Sequence, residues 1–176
     1  MIEKCNEWKL AELFFKRPLY RYHFRELCRL LGWSPTKLRT SVEILKKHGV
    51  IEERREKNLK IFSARTESEA YRKLKTIYNL EKAIEIADFL ERKLDYFEAI
   101  ILFGSASTGQ DTEKSDFDIC IIGAEETDIN LSKFEKDIER RISLLFADVK
   151  DLKRKNLELL NNIINGFVLK GYLEVV

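Results

Sequence analysis

The sequence predicts a mixed α/β (α+β) fold in two domains, and three observations support this prediction. Apolar residues recur at helical spacing in the first half, whereas the second half contains two short apolar runs, Ala99 to Phe103 and Ile119 to Ile122, typical of buried strands. Residues 1–65 carry 16 Lys and Arg against 8 Asp and Glu, and residues 66–176 carry 16 against 22. A basic front half and an acidic rear half indicate different partners.

Three helices are predicted near the start of the chain. They cover residues 3–16, His23 to Leu31, and Pro35 to Gly49. Pro18 ends the first helix, because proline disfavours helical geometry in the residue before it. Gly32 gives the second helix a C-terminal stop, and Ser34 gives the third an N-cap.

A basic hairpin is predicted after the third helix. Its strands are Val50 to Arg54 and Leu59 to Ala64, and Asn58 suits the turn between them. The outward polar and basic residues of the third helix and the hairpin are Thr36, Lys37, Arg39, Thr40, Arg54, Arg55, Lys57 and Lys60. Such residues can form an ordinary solvated face, but their placement favours contacts with nucleic-acid phosphates and grooves.

Residues 5–65 resemble a winged helix-turn-helix domain, on the strength of the phrase SPTKLRTSVEILKKHGVIEERREKNLKIFSA. The resemblance implies a DNA-binding domain over residues 1–65. A long helix or two abutting helices, between Glu67 and Leu94, is expected to link it to the rest of the chain within residues 66–95. We favour packing of this helix on the domains over pairing of two copies in a homodimer, because strict heptads fail at Glu81.

The rear domain is predicted to alternate strands and helices. After the two apolar runs come a helix from Leu131 to Ile142, a strand from Leu144 to Val149, a helix from Asp151 to Asn165 and an apolar tail from Phe167 to Val176 with room for a short strand. This order predicts a small mixed sheet covered by helices.

Two aspartates open the second apolar run. Asp116 and Asp118 are two residues apart, so their side chains project from one face of the strand and lie close enough to share a cation. Close carboxylates repel each other unless a metal ion lies between them. The first apolar run stops at Gly104 and Ser105, and a polar loop separates these two residues from the aspartates.

Gly104-Ser105, then ten residues, then Asp116-Phe117-Asp118 resembles the signature of the DNA polymerase beta-like nucleotidyltransferase superfamily. Residues 96–176 are similar to its minimal, antitoxin-like version. The resemblance implies that Gly104 and Ser105 bind a nucleoside triphosphate and that Asp116, Asp118 and Asp148 are catalytic residues that hold two Mg²⁺ ions. Asp148 is then the third carboxylate and the proton acceptor, although a shifted register, or Asp151 as a helix cap, leaves that position open.

The implied reaction is transfer of AMP from ATP to a hydroxyl acceptor, such as a tyrosine of a helical HEPN-type toxin protein. Many family members have an arginine where this chain has Thr108. Its loss favours the alternative function, a DNA-binding transcription regulator whose second domain senses nucleotide or mediates protein contacts without catalysis. Nucleotidylation of a small molecule is disfavoured, because no substrate domain is evident.

Cys5, Cys28 and Cys120 are scattered and odd in number, so neither a disulfide framework nor a zinc site is indicated. No apolar stretch reaches the roughly 18 residues needed to cross a bilayer. We therefore expect a cytoplasmic protein without a membrane partner.

Overall fold

The computed structural model describes residues 5–174, except for the side chain of Lys155. The chain divides between Lys75 and Thr76 into two compact units. Among the described residues, no helix combines the length and the apolar character needed to span a membrane.

The first unit consists of helices and a small antiparallel sheet. Its elements are α1 (Asn6–Lys16), β1 (Tyr22–His23), α2 (Phe24–Leu31), α3 (Pro35–Lys47), β2 (Ile51–Glu56) and β3 (Leu59–Ala64), and the sheet order is β1-β3-β2. The hairpin register pairs Arg55 with Lys60 and Glu56 with Leu59, and the two residues between them make the turn. The core contains the apolar faces of the three helices, including Phe14, Leu27 and Leu38.

The second unit is a four-stranded mixed sheet between two layers of helices. After α4 (Glu69–Glu91), which crosses the division between the units, come β4 (Ala99–Leu102), α5 (Gly104–Thr108), β5 (Phe117–Ile122), α6 (Ser132–Ile138), β6 (Ile142–Ala147), α7 (Val149–Lys155), α8 (Leu157–Ile164) and β7 (Phe167–Gly171). The strand order is β6-β5-β4-β7. β5 runs parallel to β6 and antiparallel to β4.

Strand alternation places two cores on opposite faces of this sheet. On one face, Ile119 and Ile121 pack with Ile86 and Leu90 of α4. On the other face, Cys120 packs against α7 and α8. Because both faces of β5 are covered, its sequence is an almost continuous apolar run. Polar side chains that could bind a ligand are therefore confined to the ends of β5.

The long helix is one continuous element, and Phe167–Gly171 of the predicted tail form β7, an edge strand, whereas residues 175–176 lie outside the described part of the chain. The predicted third strand of the rear domain, Leu144 to Val149, is wrong by two residues, because β6 begins at Ile142 and ends at Ala147. The helix predicted to reach Ile142 ends at Ile138, since Glu139 adopts a left-handed conformation.

Two further differences concern short elements. The predicted helix from Asp151 to Asn165 is two helices, which meet at Asn156, whose side chain caps α8 by accepting from the Leu159 amide at 2.9 Å. The loop after β4 contains a short helix, α5, that begins at Gly104.

Ile121 tests the central position of β5, since its side chain is fully buried between two neighbouring strands. We expect Ile121→Ala to lower the free energy of unfolding by about 2–5 kcal/mol, because the cavity adds to the lost transfer free energy. Urea unfolding followed by circular dichroism measures the change. Ile164→Ala, at a side chain that is 43% exposed, is the control and should change stability by no more than about 0.5 kcal/mol. Equal losses in both variants would contradict this account of the core.

Candidate functional site

Asp116 and Asp118 lie at the beginning of β5, as the sequence predicted. Asp116 is exposed just before the strand, and Asp118 is half-buried at its second position. Burial raises the pKa of Asp118, the negative charge of Asp116 raises it further, and a hydrogen bond from the Ser143 hydroxyl opposes both effects. The negative charge of Asp116 thus acts on the Asp118 carboxyl, and a cation between the two side chains would remove this repulsion.

Gly104 forms a corner against Asp118. Its φ of +69° lies in the left-handed region, and a Cβ built there would lie 2.8 Å from Oδ2 of Asp118. The amide of Phe103 donates to the carbonyl of Asp118 at 3.1 Å. The absence of a side chain at residue 104 therefore lets the backbone approach the carboxylate closely.

Ser105 lies in the first turn of α5, next to this corner, and is half-buried. Thr108 ends the same helix and is exposed, and its hydroxyl donates to the carbonyl of Ser105 at 3.0 Å. The structure thus brings Gly104, Ser105, Asp116 and Asp118 together at one end of the sheet. Thr108 contributes a hydroxyl and no positive charge here.

The register of β5 and β6 determines what lies beside Asp118 on the neighbouring strand. Asp118 pairs with Ser143 and Cys120 pairs with Leu145, in parallel. The side chains of Asp118 and Ser143 are on the same face of the sheet, and the Ser143 hydroxyl lowers the pKa of the Asp118 carboxyl. The residue next to the carboxylate pair on β6 is therefore a serine.

The expectation that Asp148 joins the aspartate pair is wrong. Asp148 follows the C-terminal end of β6, five residues beyond Ser143, which corresponds to about 16 Å along a strand. Its carboxylate instead caps α7 by accepting from the amides of Lys150 at 2.7 Å and Asp151 at 3.3 Å. Parallel strands begin at the same edge of a sheet, so the start of β5 and the end of β6 lie at opposite edges.

The donor set at the site suits one hard divalent cation. Asp116 and Asp118 supply carboxylate oxygens, and Mg²⁺ is commonly held in proteins by one or two carboxylates together with water and phosphate oxygens. Throughout residues 5–174, no three His, Cys, Asp or Glu side chains are grouped to hold a metal ion. Of the three aspartates that the resemblance implies for two Mg²⁺ ions, Asp116 and Asp118 lie at this site and Asp148 does not.

The residues predicted to contact DNA are exposed on the first unit. They are Thr36, Lys37, Arg39 and Thr40 of α3, and Arg54, Arg55, Lys57 and Lys60 of the β2–β3 hairpin. Two of these cations pair with acidic neighbours, Arg54 with Glu52 at 2.9 Å and Lys60 with Glu53 at 2.8 Å. The pair of Arg54 with Glu52 is exposed and therefore weak, whereas Glu53 is largely buried beside Lys60.

Pattern-based reasoning missed Ser143 and a buried polar cluster near the site. The sequence signal for Ser143 was the alternation of Ile142, Leu144 and Phe146 on one face of β6, which becomes visible once the strand begins at Ile142. The cluster joins Asp111 to Arg140 across 29 residues. A pairing over that distance has no local sequence signal.

The pKa shift of Asp118 predicts the pH dependence of stability. Folding raises the pKa of this carboxyl. Above the raised pKa the carboxyl is charged in the folded protein, and this charge lowers the free energy of unfolding. Below the ordinary pKa the carboxyl is protonated in both states and does not change the free energy of unfolding. Without divalent cations, Asp118→Asn should therefore have a higher melting temperature than the original protein at pH 7, and the difference should close on acidification. Thermal unfolding at several pH values measures this. The exposed Asp128→Asn is the control, and a lower melting temperature for Asp118→Asn at pH 7 would contradict the prediction.

Comparison with known proteins identifies the family. The family described as polymerase beta, nucleotidyltransferase matches residues 84–171, half of the chain, from within α4 to the end of β7. No curated protein and no solved structure gives a match. The matched range contains the Gly104 corner and the aspartate pair, and it supports nucleotidyl transfer in general as the activity of the second unit. The chain belongs to the polymerase beta nucleotidyltransferase family.

Proposed function

We propose that the second unit binds a nucleoside triphosphate together with Mg²⁺ at the corner formed by Gly104, Ser105, Asp116 and Asp118. The observation that carries the proposal is the contact geometry of Gly104, whose missing side chain brings the backbone against the Asp118 carboxylate. Hard carboxylate oxygens beside a close backbone approach suit a cation and a polyphosphate at one place.

Each residue has a distinct part in this proposal. Asp116 and Asp118 bind the cation, and the Ser143 hydroxyl lies beside the carboxylate of Asp118 in the register of β5 and β6. Gly104 makes room for the phosphates, and Ser105 donates to their oxygens. When bound, Mg²⁺ would neutralise phosphate charge and stabilise the departing pyrophosphate.

Nucleotidyl transfer is the first candidate for the step after nucleotide binding, and the family match supports it. We propose AMP from ATP as the transferred group and a hydroxyl of a protein, such as a HEPN-type helical toxin, as the acceptor. In that role the protein is an antitoxin of the cytoplasm. Asp148 takes no part, because its carboxylate lies at the other edge of the sheet and caps α7.

A nucleotide-sensing regulator without catalysis is the second candidate, and Ser143 favours it. The register places a serine next to Asp118, where a third carboxylate would otherwise hold a second cation and accept the proton of the attacking hydroxyl. Thr108 also leaves the phosphate end without a fixed positive charge. Both features reduce catalytic power more than they reduce nucleotide binding.

We further propose that residues 1–65 form a winged helix-turn-helix domain that binds DNA, that residues 66–95 link it, and that residues 96–176 form the nucleotidyltransferase domain. The element order α1, β1, α2, α3, β2, β3 supports the first assignment, with α3 as the helix in the major groove. The side-chain oxygen of Ser34 caps α3 by accepting from the Lys37 amide at 3.3 Å. Pairing of the long helices of two copies in a homodimer is the alternative to packing of this helix on the two domains.

Nucleotide binding and turnover can be measured on the same variants. Asp118→Ala should weaken Mg²⁺–ATP binding at least about 10-fold. Mutation of a residue that only hydrogen-bonds to a metal ligand already lowers metal affinity by that factor. Asp148→Ala is the matched control, because it removes a carboxylate from the same unit at the far edge of the sheet, and it should bind as the original protein does. Calorimetry measures the affinity for Mg²⁺–ATP. Incubation with ATP labelled in the α-phosphate and with the product of any adjacent gene reports transfer.

The outcomes separate the two candidates. Label transfer that Asp116→Ala abolishes supports the enzyme, whereas binding that changes DNA affinity without pyrophosphate release supports the regulator. Ser143→Asp should strengthen cation binding, because it adds a carboxylate in register with Asp118. Failure of the unaltered protein to bind Mg²⁺–ATP would exclude both.

DNA binding by the first unit should depend steeply on salt. Replacing Arg39 and Arg55 together by alanine should weaken binding to duplexes of any sequence and lower the slope of log affinity against log salt by about 2, because each lost phosphate contact removes about one released counterion. Fluorescence anisotropy at several salt concentrations measures the slope. Lys9→Ala, at an exposed lysine of α1, should leave it unchanged. Binding insensitive to salt would rule out the proposed surface.

A further inference from the structure

A buried polar cluster connects three elements of the second unit. The guanidinium of Arg140 pairs with the carboxylate of Asp111, and its Nη2 lies 3.5 Å from Oδ1 of Asn79. The Asn79 amide nitrogen donates to Asp111 and to the carbonyl of Ala106, both at 2.8 Å. The exposed fractions are 0% for Asn79, 1% for Asp111 and 6% for Arg140. This cluster therefore joins α4, α5, the loop after α5 and the turn before β6 in the dry interior.

Arg140 reaches the start of β5 by two routes. Its guanidinium carbon lies 5.5 Å from the centre of the Phe117 ring, over the ring. The carbonyl of its neighbour Arg141 accepts from the amide of Phe117 at 2.9 Å, which extends the β5–β6 ladder. Phe117 is the residue between the two site aspartates, so a displacement of Arg140 would be transmitted to both carboxylates.

Asp111 holds the other end of the same segment. It lies five residues before Asp116, in the loop that leaves α5. The loop is also closed on itself, because the amide of Thr112 donates to the Ser115 hydroxyl at 3.0 Å. With Asp111 fixed in the interior and Phe117 fixed below Arg140, the backbone that carries Asp116 is anchored on both sides.

Stability alone does not account for this choice of residues. Burial of an ion pair costs desolvation free energy, and an apolar replacement of similar volume is often neutral or stabilising. Two apolar side chains could fill the same space, but they would allow several relative orientations of the surrounding segments. A planar guanidinium that contacts a carboxylate, an amide and an aromatic ring allows few orientations of these groups.

We propose that Arg140 and Asp111, with Asn79, are positioning residues that hold Asp116 and Asp118 at cation-binding separation before the cation arrives. The proposal rests on the proposed function, since it assumes that the aspartate pair binds a divalent cation. The cluster opposes the mutual repulsion of the two carboxylates, which would otherwise move them apart in the cation-free protein. It therefore lowers the reorganisation cost of binding.

The test separates positioning from stability by an apolar exchange. In Asp111→Leu/Arg140→Met the ion pair is replaced by apolar side chains, and Asn79 is kept because it satisfies the carbonyl of Ala106. We expect the variant to fold with only a modest decrease in melting temperature, because relief of the ion pair's desolvation cost offsets part of the loss at Asn79, whose amide loses its contacts with Asp111 and Arg140. We expect Mn²⁺ affinity, measured by electron paramagnetic resonance without nucleotide, to fall about 10-fold.

Two further variants complete the design. Arg140→Lys keeps the charge opposite Asp111 but loses the planar group, and its Mn²⁺ affinity should fall between those of the original protein and the double variant. Lys170→Ala removes a cation that pairs with Asp88 and Glu91 on the surface, and it should bind Mn²⁺ normally. This control shows that loss of an ion pair elsewhere does not affect the site.

Each result has one meaning. If the original protein binds Mn²⁺, Asp118→Ala does not, and the double variant binds as tightly as the original, the positioning role is refuted and the proposed function stands. If the double variant is folded and binds weakly, the positioning role is supported. If the original protein does not bind Mn²⁺, the proposed function fails and the positioning role fails with it.

Discussion

The parallel pairing of β5 with β6 is the constraint on which the site depends. Because the two strands run in the same direction, residues that share a level of the sheet lie at similar distances from the start of each strand. That rule places Ser143 beside Asp118 and carries Asp148 to the opposite edge. The apolar content of β5, covered by helices on both faces, holds this register in place, since a slip by one residue would expose the core face.

The chemistry available at the site is set by the register. Two carboxylates, a serine hydroxyl and the backbone at Gly104 lie at this end of the sheet, and partial burial raises the pKa of the Asp118 carboxyl. Such a site is electrostatically prepared for a positive ligand, because a cation removes the repulsion that the cation-free protein bears. The family assignment supports nucleotidyl transfer in general, and the geometry gives the proposed site two carboxylates and a serine in register with Asp118.

Local patterns predicted most of the fold and only part of the site. The apolar runs identified β4 and β5, and the pair Asp116 and Asp118 was found from strand alternation. The start of β6 was missed because Ser143 interrupts its apolar run and Ile142 also fits the period of the preceding helix. The predicted strand began and ended two residues too late, which placed Asp148 inside the strand instead of after it. The register of a strand is set by pairing with a distant segment, and a local sequence pattern does not contain that information.

The buried pair of Arg140 and Asp111 has a consequence for descent. Losing either partner alone removes the opposite charge that faces the other in the interior, at a cost of about 3–5 kcal/mol, a large part of the stability of a small domain. We therefore expect substitutions at the two positions to occur together during evolution. Lineages that share this architecture should retain both residues or replace both, so co-variation of these two alignment columns would record the constraint.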